Sequence, residues 1–483
     1  MNYKIVSYFL GWTLMVEAIA MVPGCLIALI LKEETWPYFL PAIGICVLVF
    51  CIFSRKKNRT GVFFVREGYA ATGLGWFLMS LIGALPFFLS GRIPNYVDAV
   101  FETASGLTTT GASILNDVEA LGKGLLFWRS FSHWIGGMGV LVLVLAILPM
   151  NGGYHMQFMK AESPGHSVSK LVPRVNETAR IMYLIYIGLT LTAIVFYLIG
   201  GMPLFDAVCI GVGTAGTGGF AVRNTGMADY SNLAQSFITL FMILFGVNFN
   251  AYYLIVSKKW KDALKSQEVR AYILFIVIMI LVLTGIVWRT NYQQEGFYYS
   301  LHHAAFTTGS LVSSTGFGTV DFAQWPEFAQ GLVLLIMFSG ACSGSTGGGF
   351  KVSRWVILIQ EIKNELHMVI HPSSVRTVVF EGKAVDHNTQ RSLKNYFIIY
   401  FFFFLVSVII LSIDGFDFKT NFSAVLANLN NIGPGLSLVG PTSNFSAYSM
   451  LSKIVLIVDM IAGRLELLPV LMLVYRRTWS KQY

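Results

Sequence analysis

Four short stretches of this chain place a threonine, serine or asparagine two residues ahead of a glycine. They are Thr109, Thr110 and Gly111; Thr217, Gly218 and Gly219; Ser314, Thr315 and Gly316; and Asn431, Ile432 and Gly433. None of these residues carries a formal charge. The chemistry such a stretch offers is that of its backbone. Glycine reaches φ above zero without a steric penalty, so successive carbonyl oxygens can be turned the same way, where they replace the hydration shell of a cation. A ring of carboxylates would favour divalent ions, whereas neutral oxygens suit a weakly hydrated monovalent ion.

Matched spacing is the reason to read the four together. The segments are DAVFETASGLTTTGAS from Asp98, DAVCIGVGTAGTGGFA from Asp206, HAAFTTGSLVSSTGFG from His303 and TNFSAVLANLNNIGPG from Thr420. Asp-Ala-Val starts 13 residues before the glycine in the first two, and His303-Ala304-Ala305 holds that offset in the third. The fourth lacks this start. Successive glycines lie 108, 97 and 117 residues apart, so the chain reads as four diverged copies of one unit. Each copy is expected to enter the membrane from outside as a short pore helix, its negative carboxyl end toward a cavity, and to return as an extended loop. Non-helical backbone is tolerated at membrane depth where it is buried in protein or lines a water-filled cavity. Four such loops around one axis meet that condition.

The elements that must position these loops are transmembrane helices. Of 483 residues, 55% are hydrophobic and 12% charged, and mean hydropathy is +0.64; soluble domains carry about 25% charged residues. Ten apolar runs are long enough to span a bilayer: roughly 5–31, 37–54, 69–90, 126–150, 181–200, 233–256, 271–288, 329–360, 395–413 and 453–475. The first is read as an anchoring helix, with no small-residue cleavage site of a signal peptide. Basic clusters, including Arg55, Lys56, Lys57, Arg59 and Arg66, then Lys160, Lys170, Arg174 and Arg180, alternate between the spans. They put 25 of the 34 lysines and arginines on one side, which the positive-inside rule makes the cytoplasm. Both termini are expected there.

The other side holds thirteen of the 25 acids. Such a mouth concentrates cations, though hydrophilic outer loops alone give the same pattern. The expected fold is an all-α integral membrane protein with four pseudo-repeats of helix, pore loop and helix around one central pore, preceded by two extra N-terminal transmembrane helices. The expected units are 1–60 for the two extra helices, then 61–165, 166–265, 266–375 and 376–483 for the repeats.

Two further features lie within the spans. The eighth run would reach about 48 Å as one helix, and its middle, SGACSGSTGGGF from Ser339, contains five glycines and three serines. Poor helix propensity there predicts a break, with Gly344, Ser345, Thr346, Gly347, Gly348 and Gly349 forming an intramembrane loop beneath the filter. From the residues alone a gate and a glycine-lined packing seam fit equally. Arg464 sits near the middle of the last span, where a charge is costly and faces a cavity or the protein interior. It reads as a barrier to cations, weakened if Asp459 or Glu466 pairs with it, or as a structural ion pair. Glu17, in the first span, is read as structural.

Besides the four loops, SGLTTTGA from Ser105, WIGGMG from Trp134, GACSGSTGGGFK from Gly340, LNNIGPG from Leu429 and GRLE from Gly463 make the whole chain resemble the Trk/Ktr/HKT superfamily of potassium transporters, in particular its TrkH-type membrane subunit. The resemblance implies a potassium-conducting subunit of a bacterial inner membrane, with potassium at the four filter stretches and a homodimer with one pore per protomer. It also implies regulation by a cytosolic nucleotide-binding subunit of the TrkA type. Glycine at all four filter positions goes with potassium preference in that family. The resemblance favours the gate for the glycine-rich break and a pore-lining role for Arg464.

Other classes fit poorly. The basic residues form no continuous patch for nucleic acid, and the longer basic loops serve orientation, anionic lipid or a docked partner equally well. GSTGGGFK from Gly344 misses the phosphate-loop pattern because Phe350 intervenes and no strand precedes it, and no organic cofactor is expected in this chain. His133, His155 and His166 have no ligand spacing, and the five cysteines, Cys25, Cys46, Cys51, Cys209 and Cys342, read as small hydrophobes; no enzyme is expected. The alternative to a gated pore is a proton- or sodium-coupled secondary transporter with discontinuous helices; a four-fold repeat favours the pore.

Overall fold

The computed structural model describes residues 1–54, 65–139, 175–374 and 376–480. Arg55, Lys56, Lys57, Arg59, Lys160, Lys170, Arg174, Lys481, His155, His166 and the end of the 126–150 run lie outside them. The described residues are mainly helical, with one two-stranded hairpin, Val379–Phe380 against Lys383–Ala384. Six of their helices are long and apolar enough to cross a membrane, and the chain is a multi-pass membrane protein. Leu184, Phe402 and Ile409 are 68–70% exposed on long helices, an arrangement that suits lipid rather than water.

The two leading helices, Tyr3–Ile30 and Phe39–Ser54, pack on each other, and the first also packs on Lys123–Met138. Small residues permit the second contact. A Cβ on Gly24 would lie 3.0 Å from the Gly124 carbonyl oxygen, and one on Gly124 would lie 2.6 Å from Ala28. Close approach of this kind suits helices in lipid, which gain from van der Waals packing rather than from hydrophobic burial.

Four times thereafter the chain runs through a long helix, a short helix, an extended turn and a second helix of 13–16 residues. The short helices are Tyr96–Leu107, Leu204–Gly216, Phe297–Val312 and Phe418–Leu429. The fourth exists despite its unlike sequence. Its N-cap, Asp417, stands 16 residues before Gly433, the same offset that Asn95 and Pro203 hold to Gly111 and Gly219. Asn95 and Asp417 both accept a hydrogen bond from a first-turn N–H, so capping preserves a boundary that the Asp-Ala-Val pattern does not mark.

The inner helices depart from the expected spans. Expectation placed a break in the eighth run only, and there Glu327–Ser339 and Val352–Ile370 are indeed separate. The 233–256 run is also two helices, Asn232–Phe245 and Phe249–Val256, bent by 93°. The 453–475 run divides into Met450–Arg464 and Leu468–Val474, with Glu466 and Leu467 at φ +57° and +65°. Lys123–Met138 ends at Gly139, whose φ is +83°. Tertiary hydrogen bonds explain the breaks that composition hid. Cys342 N–H donates to the Gly246 carbonyl at 3.0 Å and Phe249 N–H to that of Gly344 at 3.0 Å, so the loop of one inner helix splices into the bend of another.

Both described ends of the chain lie on one side. The Met1 amine donates to the Ser480 carbonyl at 3.4 Å and the Tyr3 hydroxyl to that of Trp479 at 3.0 Å.

Candidate ion pathway

The four extended turns form a closed ring. A Cβ built on Gly111 would lie 2.6 Å from the Gly219 nitrogen, one on Gly219 would lie 2.5 Å from the Thr315 carbonyl oxygen, and one on Gly433 would lie 2.8 Å from that of Thr110. A Cβ on Gly316 would collide outright with the Ile432 carbonyl oxygen. Each turn thus touches the next and the fourth returns to the first. Every aligned position requires a residue without a side chain, because its neighbour's backbone already fills the space.

Backbone conformation repeats with the same register. Thr109, Thr217, Ser314 and Asn431, each two residues ahead of its glycine, have φ between 54° and 59°. Gly111, Gly316 and Gly433 follow at φ +81°, +84° and +98°. Gly219 differs: it is not among the positive-φ residues, so at this position glycine is required for space rather than for conformation. Side-chain hydroxyls are used sideways. Thr110 bonds Thr108 at 2.7 Å, and Thr315 bonds Ser313 at 2.7 Å in the same relation. Asn431 donates its amide to the Thr110 hydroxyl at 3.0 Å and to the Met460 carbonyl at 2.8 Å, linking the fourth turn to the first.

Behind the ring are buried polar residues that spacing did not single out. Arg129 Nε donates to Glu102 at 2.6 Å with both side chains buried. Glu102 also accepts from the Ile114 N–H at 3.0 Å, and Arg129 donates to the Ala221 carbonyl at 2.9 Å. The pair therefore clamps the first turn to the second. His133, set aside as a ligand candidate, accepts from the Phe220 N–H at Nε2, 3.3 Å away, so its Nδ1 carries the proton and donates to the Gly106 carbonyl at 2.7 Å. A WIGGMG-type motif gives no sign of this, since the histidine precedes it.

A cavity of about 370 Å³ opens above the ring and is lined by all four glycines, with Arg223 and Asp321 at its wall. Some acids of the expected outer mouth are paired with cations. Asp98 pairs with Lys453 at 2.7 Å and Asp206 with Arg223 at 2.9 Å, alongside the Glu102–Arg129 pair.

On the far side lies the glycine-rich loop. A Cβ on Gly347 would lie 2.8 Å from the Ser313 carbonyl oxygen, and one on Gly348 would lie 2.5 Å from that of Asn430. Gly348 N–H donates to the Ser314 hydroxyl at 2.6 Å. Gly344 and Gly349 take φ of +70° and +76°; Ser345 bonds the Cys342 carbonyl at 2.6 Å, and the Thr346 hydroxyl reaches the Phe245 carbonyl at 3.3 Å. The Lys351 ammonium donates to the Gly347 carbonyl. The loop is packed directly beneath the third and fourth turns.

Arg464 reaches across from the last inner helix. Its Nη1 donates to the Thr346 carbonyl at 2.7 Å and approaches the Thr109 hydroxyl at 3.4 Å, while Nη2 donates to the carbonyls of Gly136, at 2.6 Å, and Gly137. Those glycine carbonyls belong to the last turn of Lys123–Met138, where i+4 partners run out and partial negative charge gathers; the Gly136 carbonyl also accepts from the Gly139 N–H at 3.1 Å. Glu466 is engaged by Arg354 and Asp459 by the Ser407 hydroxyl at 2.8 Å. Glu17 is buried between the extra helices and the first repeat, near Cys46 and Gly83.

The family model for TrkH, a cation transport protein, matches residues 42–481. The chain belongs to the TrkH family. Among its relatives, the Trk system potassium uptake protein TrkG of Escherichia coli K12 is 33% identical over 98% of both chains. The Trk system potassium uptake protein TrkH of Halomonas elongata is 32% identical over the whole of both. The crystal structure of the potassium transporter TrkH from Vibrio parahaemolyticus superposes with a TM-score of 0.88 at 30% identity, covering 99% of this chain and 100% of that one. The fold of this TrkH family member is thus that of a known potassium transporter, and transport rather than catalysis is its family trait.

Proposed function

We propose that this protein takes up potassium through a gated pore whose filter is the ring of four turns. Carbonyl oxygens of Thr109, Thr110 and Gly111, Thr217, Gly218 and Gly219, Ser314, Thr315 and Gly316, and Asn431, Ile432 and Gly433 coordinate the dehydrated ion. The observation that carries this reading is the cyclic contact of the four glycines, each pressed against the next turn. Residues Gly344 to Gly349 act as the gate, and Arg464 is the electrostatic barrier at its level. The ion arrives from the cavity above the ring, and the side with the basic clusters faces the cytoplasm of a bacterium, both termini included. The relatives' names assign them to Trk systems; on the sequence resemblance, a cytosolic nucleotide-binding subunit docks on the basic face and the chain pairs with a second copy.

The test is ion flux through protein reconstituted in liposomes. Currents that reverse at the potassium equilibrium potential support the pore. Uptake strictly stoichiometric with protons or sodium would replace it with coupled transport.

A further inference from the structure

One buried carboxylate grips the glycine-rich loop from the side. Glu268 is the second residue of helix Gln267–Thr290 and is 2% exposed. Its Oε1 accepts from the Ser343 N–H at 2.6 Å and from the Ser353 N–H at 3.2 Å. Ser343 lies near the start of the loop and Ser353 in the first turn of helix Val352–Ile370, so a single oxygen pins both limbs, whose serine hydroxyls are also bonded to each other. Oε2 accepts from the Asn248 amide at 3.2 Å, at the bend of the second inner helix. A carboxylate accepting first-turn N–H groups is a favourable arrangement.

Glu268 is itself held from the basic face. Its N–H donates to Glu381 Oε1 at 3.0 Å, and the Ser266 hydroxyl donates to the same oxygen at 2.7 Å. Glu381 and Gly382 are the tip of the hairpin, with φ of +50° and +72°. Glu381 is exposed.

We propose that Glu268 is a positioning residue that sets the loop beneath the filter, and that the hairpin tip at Glu381 sets Glu268. The loop is rich in glycine and has few side chains to anchor it, so a handful of hydrogen bonds decides where it rests. Displacing Glu381 loosens the first turn of Gln267–Thr290, shifts Glu268 and releases both limbs together. The functional half of this inference rests on reading the loop as the gate.

The experiment uses full-length protein in liposomes, in a background where Cys51, the exposed cysteine, is serine. Glu268→Ala and Glu381→Ala are compared for potassium flux, potassium-over-sodium ratio and reaction of the buried Cys342 with a thiol reagent. Glu268→Ala is expected to raise flux about fivefold at an unchanged ratio and to make Cys342 reactive. Glu381→Ala, which changes an exposed side chain, is expected to move both in the same direction by about twofold, and it decides the matter should Glu268→Ala not fold. Unreactive Cys342 with unchanged flux in folded protein overturns the proposal. Reactive Cys342 with unchanged flux upholds the positioning role and overturns the gate.

Discussion

Arg464 is tied to Thr346: its guanidinium donates to the Thr346 carbonyl oxygen at 2.7 Å, joining the last inner helix to the loop of the third. The same side chain satisfies Gly136 and Gly137. Arg464→Gln keeps a donor but removes the charge, and is expected to raise potassium flux about tenfold, the effect of lowering a barrier by ~1.4 kcal/mol. Selectivity should change little, because Arg464 meets the ring only at the Thr109 hydroxyl and takes no part in the glycine contacts that close it. A flux ratio near one in liposomes would remove the barrier role.

Gly111→Ser introduces a Cβ 2.6 Å from the Gly219 nitrogen at a φ of +81°. Strain at such a position is about 1–3 kcal/mol, and it is relieved by moving the turns apart. The potassium-over-sodium ratio is expected to fall about tenfold. Gly44→Ala, where a Cβ meets nothing within 4 Å, is the neutral control. Reversal potentials in mixed salt decide it; an unaltered ratio in Gly111→Ser dissociates this turn from selectivity.

Removing one partner of a buried ion pair is costlier than removing both. Arg129→Met strands the Glu102 carboxylate, and a loss of about 3–5 kcal/mol is expected. Adding Glu102→Gln removes the stranded charge, so the double variant should be more stable than Arg129→Met alone. Thermal unfolding in detergent measures both; simple additivity would show that the pair is not coupled.

Asp417 caps the fourth short helix, Phe418–Leu429. The Thr420 hydroxyl, with help from the Thr420 N–H, holds its carboxyl below the ordinary value of 3.8. A carboxyl lowered on folding stabilises the protein above its unfolded pKa, and that contribution is lost as pH falls through the folded one. The unfolding midpoint should therefore drop on acidification below 3.8, and Asp417→Asn should weaken that dependence. Midpoints across about pH 6 to 3 check it; parallel curves for the two proteins would rule out this cap as a contributor.

The ring of four turns was legible because its requirement is local and repeated. Gly111, Gly219, Gly316 and Gly433 stand at matched distances from matched helices, and the Gly-rich run from Gly340 announces its own break. What stayed hidden depends on contacts between distant segments. Gly246 and Asn248 can cap helices, and Asn248 does cap the next one, but the sharp bend also depends on the loop a hundred residues on that bonds both sides of it. Leu465, Glu466 and Leu467 contain no glycine, and Arg354 engages Glu466 at that break. Glu102, Arg129, His133 and Glu268 have no local pattern that marks them. Their roles arise only when several turns meet.

Because the ring is made by one polypeptide, its quadrants are separately addressable. A substitution in a homotetrameric pore arrives four times at once, whereas Asn431 can differ here from Thr109, Thr217 and Ser314 at the same φ. On the proposed reading of the ring as a filter, permeation can therefore be tuned in quarter doses, and the asymmetry left by divergence gives a passing ion four distinguishable walls instead of one wall repeated.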